Sequence, residues 1–447
     1  LAAGDGARMS GPRSFPRHFG RARPATSCGM PRILLADADA FFVAVARRVD
    51  PDGAGKARLL IVGGRPGSRG VVCSASYDTR AYGVRSAMPI SQALRLCPAA
   101  TCVPVPRDAC ADASRAIRAV LQEFTPMVEG ASIDEWYLDL TGTEALYRHE
   151  PLEATARRIR ATVLERTGYA LSIGGGSNRM IAKLAAERSK PSKAPDAQGV
   201  RIVADGTELA FMATLALAEI PGIGPKAQER LATVGLVQVA DVLPHDLETL
   251  ARWLGASTAE WLYHKVRGEA RAAVEPRAPA RQMSREETFD RDLADLAAIE
   301  HELRYLARRA AADLREEGMA ARTITVKLRT NDWTTRTASR TLDAAVESDR
   351  AVVDTALALL ADLRLKLTRP ARLVGVALSN FTAGRDAEQL ALAFAPVDTD
   401  ARPVEDARDR DLSRALDRVR ERFGDDAIHA GKARRRPIGE KGARKPR

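Results

Sequence analysis

The stretch that decides the fold runs from residue 31 to residue 42 and reads PRILLADADAFF. The apolar run over residues 32–36 is typical of a buried β-strand, and it ends at Asp37, so a carboxylate lies at the end of that strand. Apolar side chains at helical spacing follow from Phe41 to Val49 and predict a helix that stops before Pro51. The chain therefore passes from a buried strand, through an acid, directly to the start of a helix.

A second acidic segment, residues 131–140, reads ASIDEWYLDL and is predicted to form a strand pair with Asp134 and Glu135 at its centre. Carboxylates inside apolar strands are costly unless they are paired or bind a metal. Hard divalent cations prefer oxygen ligands, and phosphoryl transfer often uses two of them about 3.5–4 Å apart, so these acids and Asp37 could hold such a pair. On spacing alone, the alternative that Asp134 and Glu135 merely cap a turn is equally good.

The composition is that of a multidomain protein with a polyanionic partner. Its 447 residues are too many for one hydrophobic core, and 45% of them are hydrophobic. The net charge of +11 favours a polyanion, although part of that charge lies in basic ends of the chain. Five cysteines without a CxxC pair argue against a zinc site and predict buried, reduced thiols. No apolar run approaches the ~20 residues that span a bilayer, so no membrane partner is expected.

The N-terminal and middle parts of the chain differ in composition and in predicted secondary structure. Residues 1–30, rich in Arg, Gly, Pro and Ala, are predicted to be a disordered leader, with Met30 opening the folded chain. From about residue 207 short helices predominate. They are interrupted by the segment IPGIGPK at 220–226, which is typical of a hairpin between two helices.

The C-terminal part begins after a Pro/Arg-rich linker. Its pattern predicts the order β-α-β-β-α-β, with strands at 322–330 and 333–342 joined by Asn331-Asp332 and a helix at 349–366. Residues 382–447 are polar and mostly charged, with one helix predicted at 411–422.

Several motifs, taken in order, strongly resemble the signatures of the Y-family DNA polymerases. They are DADAFF at 37–42, YDTRAYGVRSAMP at 77–89, SIDE at 132–135, NRMIAK at 178–183 with Lys190-Pro191, PGIG at 221–224 and VGV at 374–376. They extend over roughly residues 31–395, and the resemblance is closest to the DNA polymerase IV branch of that family.

This resemblance implies an α+β multidomain chain built as a right-hand polymerase. Its parts would be a palm, small fingers, a helical thumb with a helix-hairpin-helix, and a β-α-β-β-α-β little finger. The expected boundaries are a palm at 31–40 and 106–198, fingers at 41–105, a thumb at 199–268, a linker at 269–281, a little finger at 282–381, and a basic tail with a clamp-binding peptide at 382–447.

The family pattern assigns the acids to metal binding. Asp37 and Asp134 would bridge two Mg²⁺ ions, and Glu135 would serve the catalytic ion. The carbonyl of Ala38 would serve the ion that accompanies the nucleotide, whereas Asp39 is not a ligand in the family.

Other matching positions would contact the nucleotide. Phe42 corresponds to the steric gate, an aromatic ring that packs where a ribose 2′-OH would lie, with Phe41 beside it; an ordinary core phenylalanine is the alternative for Phe42. Tyr77, Arg80 and Lys190 match residues that grip the triphosphate, since Arg offers a bidentate fork, Lys a mobile charge and Tyr a hydroxyl donor.

The sequence departs from the family pattern in three places, none of which removes a metal ligand. The Lys-Pro-x-Gly turn is stretched from Lys190 to Gly199, so Lys190 could be displaced and Lys193 could share its role. Ala46 stands where the family has a glutamate, and Trp136 is larger than the residue expected after the acid pair.

Two regions are expected to contact DNA. Gly222 and Gly224 would let backbone N–H groups approach a phosphate at the start of a helix. The strand pair of the little finger is predicted to turn one cationic face toward duplex phosphates, a face made of Lys327, Arg329, Arg336 and Arg340. A merely solvated sheet face is the alternative.

The resemblance implies a template-directed DNA polymerase of low fidelity that performs translesion synthesis from dNTPs on primer-template DNA, as a cytoplasmic monomer. The alternative is a catalytically inactive Y-family relative that acts as a DNA or clamp adaptor, and the retained acids argue against it. No stretch remains for a proofreading exonuclease. The C-terminal acids are instead predicted to be solvated in the tail, namely Asp398, Asp400, Glu405 and Asp406.

The segment QLALAF at 389–394 resembles the peptide by which bacterial polymerases dock on the sliding clamp. Gln389 would hydrogen-bond the rim of an apolar pocket that takes up Leu390, Leu392 and Phe394. A further edge strand is the alternative, because the apolar side chains of this segment also alternate.

Overall fold

The computed structural model describes residues 31–191, 198–275, 280–383, 404–424 and 427–428. The predicted leader lies outside these ranges. The chain divides into two compact units, the first built from residues up to 41 together with 108–276, the second from 42–107 together with the residues from 277 onward. Within the described ranges, every helix is too short or too polar to cross a lipid bilayer.

Twelve strands and fourteen α-helices occur in the described ranges. The strands are β1 (Ile33–Ala38), β2 (Leu60–Gly63), β3 (Val72–Ala75), β4 (Thr101–Val103), β5 (Val128–Gly130), β6 (Glu135–Asp139), β7 (Leu171–Gly176), β8 (Val200–Ile202), β9 (Gln282–Leu293), β10 (Met319–Thr330), β11 (Thr335–Val346) and β12 (Ala371–Ala383). The helices are α1 (Phe41–Val49), α2 (Tyr77–Ala81), α3 (Ile90–Leu96), α4 (Arg107–Gln122), α5 (Leu152–Thr167), α6 (Arg179–Ser189), α7 (Glu208–Ala213), α8 (Pro225–Ala232), α9 (Val239–Val242), α10 (Leu247–Leu254), α11 (Ala256–Val266), α12 (Leu296–Glu316), α13 (Asp349–Lys366) and α14 (Ala407–Phe423).

The first unit is built on a five-stranded sheet of order β5-β6-β1-β7-β8. Strand β1 is central and pairs antiparallel with β6 and with β7. All six of its residues are buried, as its apolar run predicts. Asp37 therefore lies near the end of a strand that is paired with a neighbouring strand on both sides.

The position of the second acidic pair differs from the prediction. Asp134 and Glu135 do not lie at the centre of a strand, because β5 ends at Gly130 and β6 begins at Glu135. The intervening turn is closed by hydrogen bonds from the backbone N–H groups of Ala131 and Ser132 to the Glu135 carbonyl. Both acids therefore lie at the end of the strand pair, level with the end of β1.

Helix α6 packs directly on β7, and basic residues of this segment reach the ends of β1 and β6. The approach requires glycine at position 174, because a Cβ there would collide with the backbone of Ala182 and Ala186. The helix begins at an Asn178 cap, whose Oδ1 accepts hydrogen bonds from Met180 N at 3.0 Å and Ile181 N at 3.1 Å.

The rest of the first unit is helical, from α7 to α11, around its own apolar core. A short 3₁₀ helix at Leu217–Glu219 leads into the predicted hairpin, and α8 follows with Pro225 as its first residue. Ile220 and Ile223 are buried, so the hairpin is anchored by its apolar residues and turns its glycines outward.

The second unit contains two sheets. The smaller has the order β3-β2-β4, with β2 and β4 parallel. The loop between β2 and β3 contacts the end of β9, where Arg69 forms an ion pair with Asp292 and donates to the Phe289 carbonyl at 3.3 Å.

The larger sheet has the order β11-β10-β12-β9, and helices α12 and α13 cover one of its faces. Along the chain the elements follow the predicted order β-α-β-β-α-β, from β9 through α12, β10, β11 and α13 to β12. The core between the layers includes Leu303, Leu314, Val326, Leu360 and Val376. The other face of the sheet, called the open face below, carries half-buried side chains such as Lys327 and Arg329.

Helix α14 packs against this unit, so the described part of the C-terminal region is not a solvated tail. Glu405 accepts hydrogen bonds from the backbone N–H groups of Glu347 and Ser348, and its side chain is 5% exposed. Arg350 pairs with Asp409. The predicted solvation of Glu405 is therefore wrong, because its carboxylate is buried against the two residues that precede α13. Asp398 and Asp400 lie outside the described residues.

The cysteines match the prediction only in part. Cys97 and Cys110 are buried, Cys102 is half-buried, and Cys73 is exposed. In strand β3 the second residue, Cys73, is exposed, whereas the other three residues are buried.

Candidate active site

Asp37 is the central acid of the candidate site. Its residue is 8% exposed, and its backbone pairs with Glu135 of β6 on one side and with Ser172 of β7 on the other. Directly paired residues of antiparallel strands share a face, so Asp37 and Glu135 point to the same side of the sheet. The N–H of Ala38 donates to the Asp134 carbonyl at 2.9 Å, which brings the third acid to the end of β1.

Asp134 and Asp39 accept hydrogen bonds from different serines. Asp134 accepts a hydrogen bond from the Ser132 hydroxyl within its own turn. Asp39, which the family pattern leaves out of the ligand set, accepts a hydrogen bond from Ser172 Oγ at 2.6 Å. Asp39 is thereby engaged by the far strand.

Two lysines of the α6 segment neutralise the acids. Lys183 Nζ donates to both carboxylate oxygens of Glu135 at 2.7 Å. Lys190 Nζ lies 3.0 Å from Asp37 Oδ2 and 2.8 Å from Glu187 Oε2. The structure thus brings Lys190 to Asp37 although the turn after it is stretched, while Lys193 lies outside the described residues.

The environment of Asp37 disfavours its own ionised form. Burial raises its pKa from the ordinary value of 3.8 to about 7; Lys190 opposes that rise, and the charges of Glu135 and Asp134 add to it. Burial alone would lower the pKa of Lys190, but the attraction of Asp37 and Glu187 outweighs it and raises that pKa. The acids therefore lie in a site where more positive charge would be stabilising.

The donor set fits a hard divalent cation. Three carboxylates and the Ala38 carbonyl supply oxygen ligands only, which Mg²⁺ prefers. In the part of the chain that the structure describes, no group of three His, Cys, Asp or Glu side chains is already gathered closely enough to hold a metal ion. The physical reason is that like charges repel, so Glu135 and Asp37 each turn to a lysine.

A cavity of about 620 Å³ opens beside these acids. Its lining includes Asp37, Glu135 and Lys183 together with the turn at residues 218–224. The acids and the hairpin glycines of the first unit therefore face one common space.

The two hairpin glycines differ in what they require. Gly222 has a φ of +102°, and a Cβ there would lie 2.8 Å from the Trp261 ring, so only glycine fits. Gly224 precedes α8, and a Cβ there would meet open space within 4 Å. Its surroundings leave room for a phosphate at the N-terminus of α8.

The remaining predicted nucleotide contacts lie in α1 and α2. Tyr77 opens α2, and the Arg80 guanidinium lies 5.0 Å from its ring centroid, so the structure brings these two together in the second unit. Phe42 is half-buried. Phe41 is 2% exposed and its ring centroid lies 6.2 Å from that of Tyr169, which leaves only its backbone for the predicted nucleotide contact.

The four predicted DNA-binding cations of the larger sheet do not share a face. Lys327 and Arg329 lie on the open face, where Lys327 pairs with Thr337. Arg336 pairs with Leu328, and Arg340 pairs with Ile324, both on the face that the helices cover. The prediction of one cationic face is therefore wrong for Arg336 and Arg340.

The cause is the length of the turn. A two-residue turn at Asn331-Asp332 would place Arg336 beside Lys327, but Thr330 N donates to the Thr334 carbonyl at 2.9 Å and closes a three-residue turn. One extra residue moves every following side chain to the other face of the sheet.

Sequence reasoning did not assign a role to Lys183, which holds Glu135. The signal is present, because positions 183, 187 and 190 recur at helical spacing and line one face of the α6 segment. The predicted clamp peptide, with Gln389, Leu390, Leu392 and Phe394, lies outside the described residues.

Family models cover more than half of the chain. Residues 36–187 match the impB/mucB/samB family, and residues 280–392 match the impB/mucB/samB family C-terminal domain. A DNA polymerase IV of Dehalococcoides mccartyi is 33% identical over 404 residues, which cover 90% of this chain and 98% of that relative. A DNA polymerase IV of Caulobacter vibrioides is 34% identical over 401 residues, covering 89% of this chain and 93% of that relative.

Solved structures are similar over most of the chain as well. A Y-family DNA polymerase chimera of Dbh and Dpo4 has a TM-score of 0.67 and 26% sequence identity, and the match covers 78% of this chain and 98% of that chain. An insertion ternary complex of Dbh DNA polymerase has a TM-score of 0.55 at the same identity and coverage.

Proposed function

The chain belongs to the impB/mucB/samB family, that of the Y-family DNA polymerases, and from this membership we propose how its own residues carry out nucleotidyl transfer. The protein is a DNA-directed DNA polymerase of translesion synthesis. The observation that carries the proposed mechanism is that backbone pairing brings Asp37, Asp134 and Glu135 to one end of a strand pair, where Asp37 and Glu135 line a cavity. We expect low fidelity and no proofreading.

Y-family DNA polymerases need divalent metal ions. We propose that two Mg²⁺ ions would be held here by Asp37 and Asp134, together with Glu135 for the catalytic ion and the Ala38 carbonyl for the other. Such ions would lower the pKa of the primer 3′-hydroxyl and neutralise charge on the triphosphate. Support comes from the all-oxygen donor set and from the raised pKa of Asp37, which a nearby cation would relieve.

Lys183 and Lys190 keep the acids paired before substrate arrives. Lys190 has a flexible stem and a second acidic partner, Glu187, so its ammonium group can turn from Asp37 toward a triphosphate. Tyr77 and Arg80 bind the triphosphate as well, since their side chains are adjacent and supply a hydroxyl and a guanidinium fork.

Phe42 is proposed as the steric gate against ribonucleotides. It follows the metal acids in the family's register, and its side chain is half-buried, so part of the ring remains accessible to a substrate. Phe41 supports it from the core by packing against Tyr169.

DNA is proposed to bind at the hairpin and at the open face of the larger sheet. Gly222 and Gly224 offer backbone N–H groups to a phosphate. On the open face, Lys327 and Arg329 are accompanied by rows of hydroxyls, with Thr325 and Ser339 2.9 Å apart. We assign the phosphate contacts of this face to those residues. Hydroxyl and cationic groups are suited to phosphate binding, which does not read the base sequence.

Docking on the sliding clamp is proposed for residues 389–394. A tethered polymerase gains a high effective concentration at the primer end, so a weak peptide contact is sufficient. We expect a monomer in the cytoplasm, where a bacterial-type polymerase meets the genome.

Primer extension by the purified chain tests the proposal. We expect extension on undamaged and lesion-bearing templates with Mg²⁺, and none in EDTA. The inactive-adaptor alternative predicts DNA binding without extension. A folded, DNA-binding protein that extends no primer with Mg²⁺ or Mn²⁺ would overturn the proposed mechanism.

A further inference from the structure

The turn between β10 and β11 carries an exposed tryptophan in an unusual backbone conformation. Trp333 is 63% exposed and has a φ of +66°. In three-residue hairpin turns the last residue is left-handed, and glycine is the usual choice there. A bulky residue at positive φ is a backbone outlier, and such outliers cluster at functional sites.

The turn is braced from several sides, so it holds the ring in a defined position. The Trp333 N–H donates to the Thr330 carbonyl at 3.0 Å, and the Asn331 N–H donates to the Pro370 carbonyl at 3.0 Å. The Asp332 carboxylate accepts hydrogen bonds from the Thr330 hydroxyl and from the Thr334 N–H. These bonds offset the backbone strain and present the indole to solvent.

Three guanidinium groups surround this turn. Arg372 lies 4.2 Å from the Trp333 ring centroid and Arg329 lies 5.7 Å from it, both within cation–π range. Arg369 lies 3.5 Å from Asp332, the acid of the turn. The indole is therefore exposed to solvent in part, with the guanidinium groups of Arg372 and Arg329 over its ring.

We propose that Trp333 is a stacking platform for an unpaired nucleobase, with Arg329, Arg369 and Arg372 binding the phosphates of the same single strand. Aromatic side chains among cations are the usual means of holding single strands, because every base has a π-face and every nucleotide a phosphate. The choice of single-stranded DNA rests on the proposed function, since a template is unpaired ahead of synthesis. Three guanidinium groups favour a polyanion over an apolar protein surface.

The turn geometry supplies a matched pair of variants. Trp333→Gly removes the ring while suiting the left-handed backbone, so the hairpin should be at least as stable as in the wild type. Trp333→Phe keeps an aromatic face. Thermal melting of both variants checks that the unit remains folded.

The experiment is equilibrium binding by fluorescence anisotropy, without dNTP or metal, to three labelled DNAs. They are a primer-template with a natural single-stranded overhang, the same DNA with abasic sites throughout the overhang, and a blunt duplex. We expect the wild type to prefer the natural overhang, and Trp333→Gly to bind it about five- to a hundredfold more weakly. Binding to the abasic overhang and to the blunt duplex should not change, and Trp333→Phe should recover most of the preference.

Three results would overturn the proposal. One is a Trp333→Gly variant that retains the wild-type preference for bases in the overhang. Another is an equal loss on all three DNAs, which would indicate a general effect on DNA binding. The third is a loss of the preference in Trp333→Gly that Trp333→Phe does not recover, which would show that an aromatic face is not what binds the overhang. The binding assay measures no synthesis, so its result does not depend on whether the chain extends a primer.

Discussion

Replacing Asp37 by asparagine should stabilise the metal-free protein at neutral pH, although it removes a proposed metal ligand. Burial raises the pKa of this carboxyl from 3.8 to about 7, and Lys190 only partly offsets the rise. Because the carboxyl is more acidic unfolded than folded, stability falls as pH rises from 3.8 to about 7 and stays level above that. At about 1.36 kcal/mol per pKa unit, the loss is at most about 4 kcal/mol.

Calorimetry in EDTA can measure this effect by comparing wild type with Asp37→Asn. At about pH 4 the two proteins should have the same melting temperature. At about pH 8 the melting temperature of the first unit should be higher in the variant, by up to about 8–16 °C. A divalent cation should narrow the gap, because it binds only the wild-type site well. Asp112→Asn, at an exposed acid of α4, should change little at either pH. A variant no more stable than wild type near pH 8, or a gap independent of pH, would refute the reasoning.

Three further predictions follow from other parts of the molecule. Phe42→Ala should admit ribonucleotides while deoxynucleotide use persists, measured as the ratio of kcat/KM values; unchanged sugar selectivity would make Phe42 a core residue only. Arg315, 4% exposed, joins α12 to acids of α13 and α14, so Arg315→Met should destabilise the second unit by about 3–5 kcal/mol in urea unfolding, and an unchanged midpoint would contradict that. Alanine at Gln389, Leu392 and Phe394 should leave clamp-free extension intact and remove stimulation by the clamp, and full stimulation would sink the assignment.

The larger sheet of the second unit was largely predictable from sequence. Its strands alternate and its helices repeat at 3.6 residues, so each element carries its own signal. The helix predicted at 349–366 has those bounds in the structure. Asp37 was equally accessible to prediction, since an apolar run that stops at an acid marks a strand end.

What failed depended on contacts between elements. The face occupied by Arg336 and Arg340 is decided by one residue of turn length, and Trp333 at a glycine-like position gave no turn signal. The burial of Glu405 depends on hydrogen bonds from backbone N–H groups that are distant in sequence. Lys183 belongs to the NRMIAK motif, but its pairing with Glu135 requires α6 to lie against β7. The local sequence pattern predicts none of these features.

The assignment of the metal carboxylates is tested most directly by Mg²⁺-dependent primer extension with Asp134→Ala. Wild type and Asp112→Ala, the exposed control on α4, should extend a primer at the same rate. Asp134→Ala should lose at least about a thousandfold in rate, because several kcal/mol of transition-state stabilisation go with the ligand, while it still folds and binds primer-template. Extension by Asp134→Ala at the wild-type rate would contradict the account.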